Sequence, residues 1–193
     1  MSVEDPLELF DVWMNEARMH ELNDPNAMYV ATVDDSGMPN VRVVLLKEYD
    51  RSGFVFYTNT ESAKGQEVLK SRKAAFCFDW KSINKRVVLS GTVDLVSDTE
   101  ADAYFQSRDR TSRLGAWASR QSRPLTSKAH LLAEVAKYGL RFGLGEIPRP
   151  PHWTGFRLRP LRIDFQDNAD ARRLVALNFE KNSNSAWTHQ HKP

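Results

Sequence analysis

Three segments of the sequence gather residue types suited to binding anions. The first is Arg42-Val43-Val44-Leu45-Leu46-Lys47. A strand here puts Arg42, Val44 and Leu46 on one face and Val43, Leu45 and Lys47 on the other. Taken alone, the same pattern fits a buried strand with solvated ends. The second is Tyr57-Thr58-Asn59-Thr60-Glu61-Ser62-Ala63-Lys64-Gly65, where a strand runs through a polar turn into a helix start. Backbone N–H groups at such a start, with a hydroxyl and a lysine, suit a phosphate dianion, although most capped helix starts meet only water. The third runs from Tyr104 to Arg123, with arginines at 108, 110, 113, 120 and 123 among Ser, Thr, Tyr and Trp. Arginine offers phosphate a planar fork of donors, and hydroxyls complete the shell. A solvated arginine-rich helix face has the same composition, and the interleaved Asp109 speaks against a nucleic-acid surface.

Other reactive residues are sparse. None of His20, His130, His152, His189 and His191 sits at His-x3-His spacing on an expected helix beside a carboxylate. His189-x-His191 would face one way on a strand and suit a metal, but a frayed tail is expected so near the chain end. Cys77 lies in the apolar run Ala74-Ala75-Phe76-Cys77-Phe78 with no neighbouring base, which predicts a core residue. No Ser-His-Asp order, Walker loop or GxGxxG is present, so the chemistry is expected to belong to a bound cofactor.

The elements that position these segments read as one domain over 1–193. The net charge is +2, from 27 Lys+Arg against 25 Asp+Glu, too small to imply a polyanionic partner. Hydrophobic residues at 41% and charged residues at 27% fit a soluble globular chain, and one cysteine excludes a disulfide framework. No apolar run approaches the roughly 20 residues of a membrane helix, and the first residues carry no export signal. A cytoplasmic protein is expected. Asp5-Pro6 starts a helix whose apolar face is Leu7, Phe10, Met14 and Ala17, within an N-terminal helical segment over 1–25. Strands follow at Met28–Val33, Val41–Lys47 and Phe54–Thr58, then a helix at Ser62–Ser71. A hairpin of Ala74–Trp80 and Arg86–Val96 leads to a capping box at Ser97-Asp98-Thr99-Glu100, with helices to Ser107, at Ser112–Ser119 and at Ser127–Phe142. Strands resume at Thr154–Leu158 and Arg162–Phe165. The order implies a mainly β, α+β architecture: an antiparallel sheet or barrel with peripheral helices.

In this order the segments resemble the pyridoxine (pyridoxamine) 5′-phosphate oxidases. The likeness rests on RVVLLK at 42–47, FVFYTN at 54–59, SAKG at 62–65, AYFQSR at 103–108, GAWASRQS at 115–122 and GEIPRPPHWTGFRLRPL at 145–161. It implies an antiparallel split β-barrel homodimer with FMN between the subunits. It further implies oxidation of pyridoxamine or pyridoxine 5′-phosphate to pyridoxal 5′-phosphate, with O2 as acceptor and H2O2 as product. By the resemblance, Arg42 and Lys64 hold the FMN phosphate, Tyr57 and Thr58 line the same pocket, and Val43, Val44, Leu45 and Leu46 back the flavin. Gln121 and Ser122 reach FMN from the partner subunit. Lys47, which closes the cofactor strand, grips the substrate phosphate with Tyr104, Arg108 and Ser112.

The departures concentrate over 166–193. Ala63 stands where the family usually has arginine, Arg86 where a glutamine contacts the flavin, and Gln166 where the family has tryptophan. The family's Arg-Leu-His-Asp-Arg motif falls on Arg172-Arg173-Leu174-Val175-Ala176. Its first arginine, the candidate catalytic group, survives as Arg172, or as Arg173 if the register slips by one. The histidine and the second arginine become apolar or small, and His191-Lys192-Pro193 replaces the closing Arg-Leu-x-Pro. Each such loss weakens binding by about 1–3 kcal/mol where the group is buried. The alternatives to the vitamer oxidase are a related FMN-dependent oxidoreductase with another substrate, and a non-catalytic flavin or pyridoxal-phosphate binding paralogue.

Overall fold

The computed structural model describes residues 5–119, 128–170, 173–182 and 186–192. Helix α1 (Pro6–His20) starts as its sequence predicts: the Asp5 carboxylate accepts from the Leu7 N–H at 2.9 Å, and Pro6 opens the first turn. A meander follows, of β1 (Ala27–Val33), β2 (Pro39–Leu45), the short β3 (Glu48–Asp50) and β4 (Gly53–Asn59). Helix α2 (Ala63–Ser71) leads into the hairpin of β5 (Lys73–Trp80) and β6 (Lys85–Leu95). Helices α3 (Asp98–Ser107), α4 (Arg110–Ala118) and α5 (Lys128–Phe142) come next, and then β7 (Trp153–Asp170), β8 (Arg173–Lys181) and β9 (Trp187–Lys192). The capping box is formed, with the Ser97 hydroxyl accepting from the Glu100 N–H at 3.2 Å.

The strands form one antiparallel sheet in the order β2-β1-β5-β6-β7-β4-β3, with β8 and β9 added beside β7. The sheet curls into a split barrel because β7 serves two neighbours on one side, β4 along Trp153–Leu158 and β8 along Arg162–Asp170. The fold class expected from the sequence is the one found. Where two strands were expected, at Thr154–Leu158 and Arg162–Phe165, a single strand runs through. It accommodates Pro160 by a bulge: Ser90 pairs with Arg162 and Gly91 with Pro160, leaving Leu161 as the extra residue. A proline in a central strand needs such a break in the ladder. Gly91 is obligatory opposite it, since a Cβ there would lie 2.0 Å from the Arg159 carbonyl oxygen.

Three further expectations are corrected. The expected frayed end at His189 and His191 is instead a strand: His189 pairs with Phe179 and His191 with Leu177 as β9 extends the sheet. Cys77 is not in the core. Phe76 and Phe78 point inward, so alternation along β5 turns Cys77 to the opposite, half-buried face, where burial raises its thiol pKa. Helix α4 begins two residues before Ser112, because the Asp109 carboxylate caps it by accepting from the Ser112 N–H at 2.8 Å. Among the described residues no helix is long and apolar enough to cross a membrane.

The core is aromatic. Phe10 of α1 meets Phe54, Tyr49 and Phe78 edge-on, with ring centroids 4.9, 5.0 and 5.2 Å apart. Fully buried Phe10 and Met14 close one mouth of the barrel. Phe10→Ala should therefore lower unfolding free energy by about 3–5 kcal/mol, the range for emptying a buried aromatic site. Denaturant unfolding measures this, and a loss below about 1 kcal/mol would show that α1 does not help hold the barrel.

Candidate functional site

Two clusters of cations flank the turn that joins β4 to α2. In the first, Arg42 points to the inner face of β2 and lies across β1 from the helix. Its Nη1 donates to the carbonyls of Val30 and Asn40, both at 3.2 Å, and to the Thr32 hydroxyl. Its Nη2 donates to Glu67 of α2 at 3.1 Å. Glu67 also accepts from the Thr32 hydroxyl and from Asn40 Nδ2 at 2.9 Å. The Ser62 hydroxyl caps α2 by accepting from the Gly65 N–H at 3.1 Å, which places Lys64 in the first turn. Gly65 permits the close approach, because a Cβ would fall 2.5 Å from the Asn59 carbonyl oxygen. Burial, and then the neighbouring Arg42, hold the Lys64 ammonium below lysine's usual range, with Glu67 opposing. Two cations share one carboxylate at a helix start, an arrangement that a bound anion relieves.

The second cluster joins β4, α3, α4 and the start of β7. Tyr57, Tyr104 and Trp153 form a parallel stack, with Tyr57 centroids 3.9 Å from Tyr104 and 5.2 Å from Trp153. The Tyr57 hydroxyl donates to Glu48 at 3.4 Å, and burial first, then Glu48, raise its pKa far above the usual phenol range. Tyr57 is therefore neutral at every physiological pH. The Arg108 guanidinium lies 4.9 Å from the Trp153 ring centre and 5.8 Å from that of Phe105. Its Nη1 is buried and has no hydrogen-bond partner among the described residues. A pocket of about 250 Å3 lies against it, lined also by Asn59, Ser112, Ser119 and Trp153. Helix α3 is clamped to β7 by arginines. Arg149 donates to Asp98 at 2.7 Å, to Asp102 at 2.5 Å and to the Trp153 carbonyl at 2.8 Å. Arg157 donates to Glu100 at 2.5 Å.

The remaining residues singled out from the sequence are distributed by strand alternation. Val43 faces outward, Val44 packs against the core, Leu45 is half-buried and Leu46 is buried in the core. Lys47 is exposed; its backbone N–H donates to the Val55 carbonyl at 2.9 Å. Thr58 is buried on β4. Arg86 donates through Nε to Asp79 at 3.1 Å and pairs across the sheet with Gln166, which pairs with Ala176. Gln121, Ser122 and Arg172 lie outside the described residues. Glu67 escaped the sequence reading, its only signal being its place one helical turn after Lys64; Asn59 and Trp153 stood there only within longer segments, with no role of their own.

An antiparallel split barrel with two half-buried cationic sites, one at a helix start and one against an aromatic wall, defines a class of protein built to hold small anions. Residues 14–141 match the family described as pyridoxamine 5′-phosphate oxidase. A pyridoxine/pyridoxamine 5′-phosphate oxidase of Allorhizobium ampelinum is 55% identical over 177 residues, covering 92% of this chain and 86% of the relative. One from Rhizobium etli is 55% identical over 184 residues, covering 95% and 89%. PhzG from Burkholderia lata 383, solved with tetrahydrophenazine-1-carboxylic acid, superimposes with a TM-score of 0.92 at 26% identity, covering 99% of this chain and 93% of that one. A pyridoxamine 5′-phosphate oxidase-related, FMN-binding protein of Nostoc punctiforme shares the fold at TM-score 0.80 and 16% identity, with both chains fully covered. The chain belongs to the pyridoxamine 5′-phosphate oxidase family; it is an enzyme, and FMN is its cofactor.

The crowding of Lys64 against Arg42 makes a prediction about the cofactor-free protein. Lys64→Met should raise its stability near neutral pH by removing a half-buried ammonium. In the fold Lys64 is held below its ordinary 10.5, so the unfolded chain binds more protons as pH climbs into lysine's range. Wild-type stability then rises with pH, and the gap to the variant closes. Denaturant melts at neutral and alkaline pH check this; a variant less stable at neutral pH would contradict it.

Proposed function

We propose that the chain oxidises the 4′ carbon of pyridoxamine or pyridoxine 5′-phosphate to the aldehyde, with O2 as acceptor, in the cytoplasm. The pyridoxine ester and O2 yield pyridoxal 5′-phosphate and H2O2; the pyridoxamine ester also consumes water and releases ammonia. FMN, when bound, supplies the chemistry, taking two electrons as a hydride and passing them on to O2. Arg42 and Lys64 hold its phosphate, with Tyr57 and Thr58 lining the pocket and Val43–Leu46 behind the ring. The first cluster fits such a group, since a dianion beside Lys64 and Arg42 balances a half-buried excess of positive charge. Arg86 completes the cofactor contacts within the chain, and Gln121 and Ser122 add contacts from a second copy. Lys47, Tyr104, Arg108 and Ser112 grip the substrate phosphate, and Arg172 orients the substrate over the reacting ring.

The observation that carries the substrate reading is the buried, unpartnered Nη1 of Arg108 facing the 250 Å3 pocket beside Ser112. A buried cationic donor left unpaired is costly, and a phosphate oxygen supplies its partner. Purified protein with FMN, given pyridoxamine 5′-phosphate in air, should form pyridoxal 5′-phosphate and H2O2. Arg108→Ala should raise KM about 10- to 100-fold, the equivalent of one charge-assisted bond, while FMN stays bound. Bound FMN with no peroxide from either vitamer phosphate would overturn the activity. Loss of FMN from Arg108→Ala would show the two phosphate sites to be exchanged.

A second copy completes the assembly. The outer face of β1 and β2 presents Tyr29, Val33, Val41 and Val43, with Val41 63% and Val43 59% exposed, an apolar patch of the kind that marks an interface. Val41→Glu should convert a dimer to monomer in sedimentation. A variant that stays dimeric would place the interface elsewhere.

One observation favours a different substrate for the same chemistry. Ala176 stands beside Gln166 where the family motif carries its second arginine, and PhzG, solved with a tetrahydrophenazine acid, superimposes over nearly the whole chain. Faster turnover of that acid than of either vitamer phosphate would decide for this reading.

A further inference from the structure

Asn59, the last residue of β4, is only 3% exposed, and its side chain stands between the two cationic sites. Its backbone pairs across the sheet with Trp153, the ring against which the Arg108 guanidinium rests. Its Oδ1 accepts from the Glu61 N–H at 2.7 Å. Its carbonyl accepts from the Ser62 N–H at 3.2 Å and from the Ser62 hydroxyl at 2.7 Å. These bonds fold the turn that starts α2 and so place Lys64. Its Nδ2 reaches the other way and donates to the carbonyl of Ser119, the C-cap of α4, at 3.5 Å. Asn59 also lines the pocket against Arg108.

The turn itself asks only for the acceptor, which Asn, Asp and Ser all supply to the backbone two residues on. The amide donor is surplus to the turn, yet once buried it needs a partner. That partner is the end of α4, where a helix leaves carbonyls without intrahelical donors. The placement of α4 shapes the pocket, because Ser112, Gly115, Ala116 and Ser119 line it from one face of the helix. A second bridge runs beside the first. The Thr60 N–H and hydroxyl donate to the His152 carbonyl at 2.7 and 3.2 Å, and His152 Nε2 lies 3.3 Å from the Ala116 carbonyl oxygen. Both bridges join the turn that carries the cofactor cradle to the helix that walls the substrate pocket. Asn59 does so from the pocket lining.

We propose that Asn59 is a positioning residue for the substrate phosphate. Through Nδ2 it holds the end of α4, and with it Ser112, against Arg108; through Oδ1 it separately sets the cofactor turn. The inference deepens the substrate reading above and rests on it, since the ligand served is the phosphate gripped by Arg108 and Ser112.

Substitution separates the two halves of the amide. Asn59→Ser and Asn59→Asp keep an acceptor for Glu61 and lose the donor. Each should raise KM for pyridoxamine 5′-phosphate about five- to tenfold, as for one lost hydrogen bond. In both, kcat should stay within about twofold and FMN affinity within about threefold, since neither the reacting ring nor the turn is touched. Asn59→Ala loses both halves, so it should also weaken FMN about fivefold and leave riboflavin, which has no phosphate, unaffected. Steady-state kinetics of the holoenzyme and quenching of flavin fluorescence in the cofactor-stripped protein read these effects. Partial unfolding would lower kcat through loss of active enzyme and leave KM in place, so the split between them reports positioning. A double-mutant cycle identifies the route: with Ser112→Ala already present, Asn59→Ser should change KM by less than about twofold. An additive effect there overturns the proposal, because Asn59 would then act without Ser112. So does a wild-type KM in Asn59→Ser, and so does a loss of FMN in Asn59→Ser equal to that in Asn59→Ala. Arg108→Ala keeps this failure apart from that of the underlying reading. Unchanged KM in Arg108→Ala sinks the substrate site, whereas a raised KM there with an unchanged one in Asn59→Ser sinks the role of Asn59 alone.

Discussion

The architecture turns on the path of β7. Its first half must lie beside β4 so that Trp153 comes opposite Asn59 and stacks near Tyr57. Its second half must lie beside β8 so that Gln166 meets Ala176. A regular strand cannot serve both neighbours and also carry Pro160, which has no N–H to give the ladder. The bulge at Leu161 resolves the conflict by dropping one residue out of register against β6. Its geometric condition is severe: the backbone of Arg159 presses against position 91, where only glycine leaves room. One hydrogen atom in place of a side chain therefore allows a single strand to carry both the wall of the aromatic pocket and the pairing of Gln166 with Ala176.

Given that frame, the two clusters manage charge in contrasting ways. Arg42 is nearly satisfied without a ligand, since Glu67, Thr32 and two carbonyls take up its donors. The strain there falls on Lys64, which has burial and a like charge against it and only a weak 3.5 Å contact to the Ser62 hydroxyl. Arg108 is the reverse case. No carboxylate bonds to it among the described residues, its guanidinium rests over Trp153, and one terminal nitrogen is buried without a partner. Burial works against its charge as well, but arginine does not give up its proton. The first cluster is thus a preorganised cradle with one group under tension, and the second a fixed cation over an aromatic wall. Both store unfavourable electrostatics that a small dianion removes, which is how a binding site is kept open without collapsing.

Local chemistry made much of this legible from the sequence. Asp5-Pro6 and Ser97 each cap the helix they were read to cap, and Ser62, read as the first residue of its helix, caps it from one position outside, because capping is decided by a few adjacent residues. Period-two patterning found β1, β4, β5 and β6 for the same reason. What escaped is non-local. Two strands were expected on either side of Pro160, and only the partner strand, with Gly91 in place, shows why one runs through. Cys77 sits in an apolar run, but its face is chosen by Phe76 and Phe78, whose inward direction follows from the barrel and not from composition. The strands Arg173–Lys181 and Trp187–Lys192 are ordered by pairing, the first with β7 and the second with β8, which the local sequence does not announce.

The row from Asp79 to Ala176 shows what that non-local information adds. Read along the chain, Arg86, Gln166 and Ala176 look like three independent losses, and summing about 1–3 kcal/mol for each missing contact predicts a crippled site. Such sums hold only for sites that do not share a partner. The register makes these positions neighbours on one face, so their effects are coupled and an addition at one can offset a deletion at another.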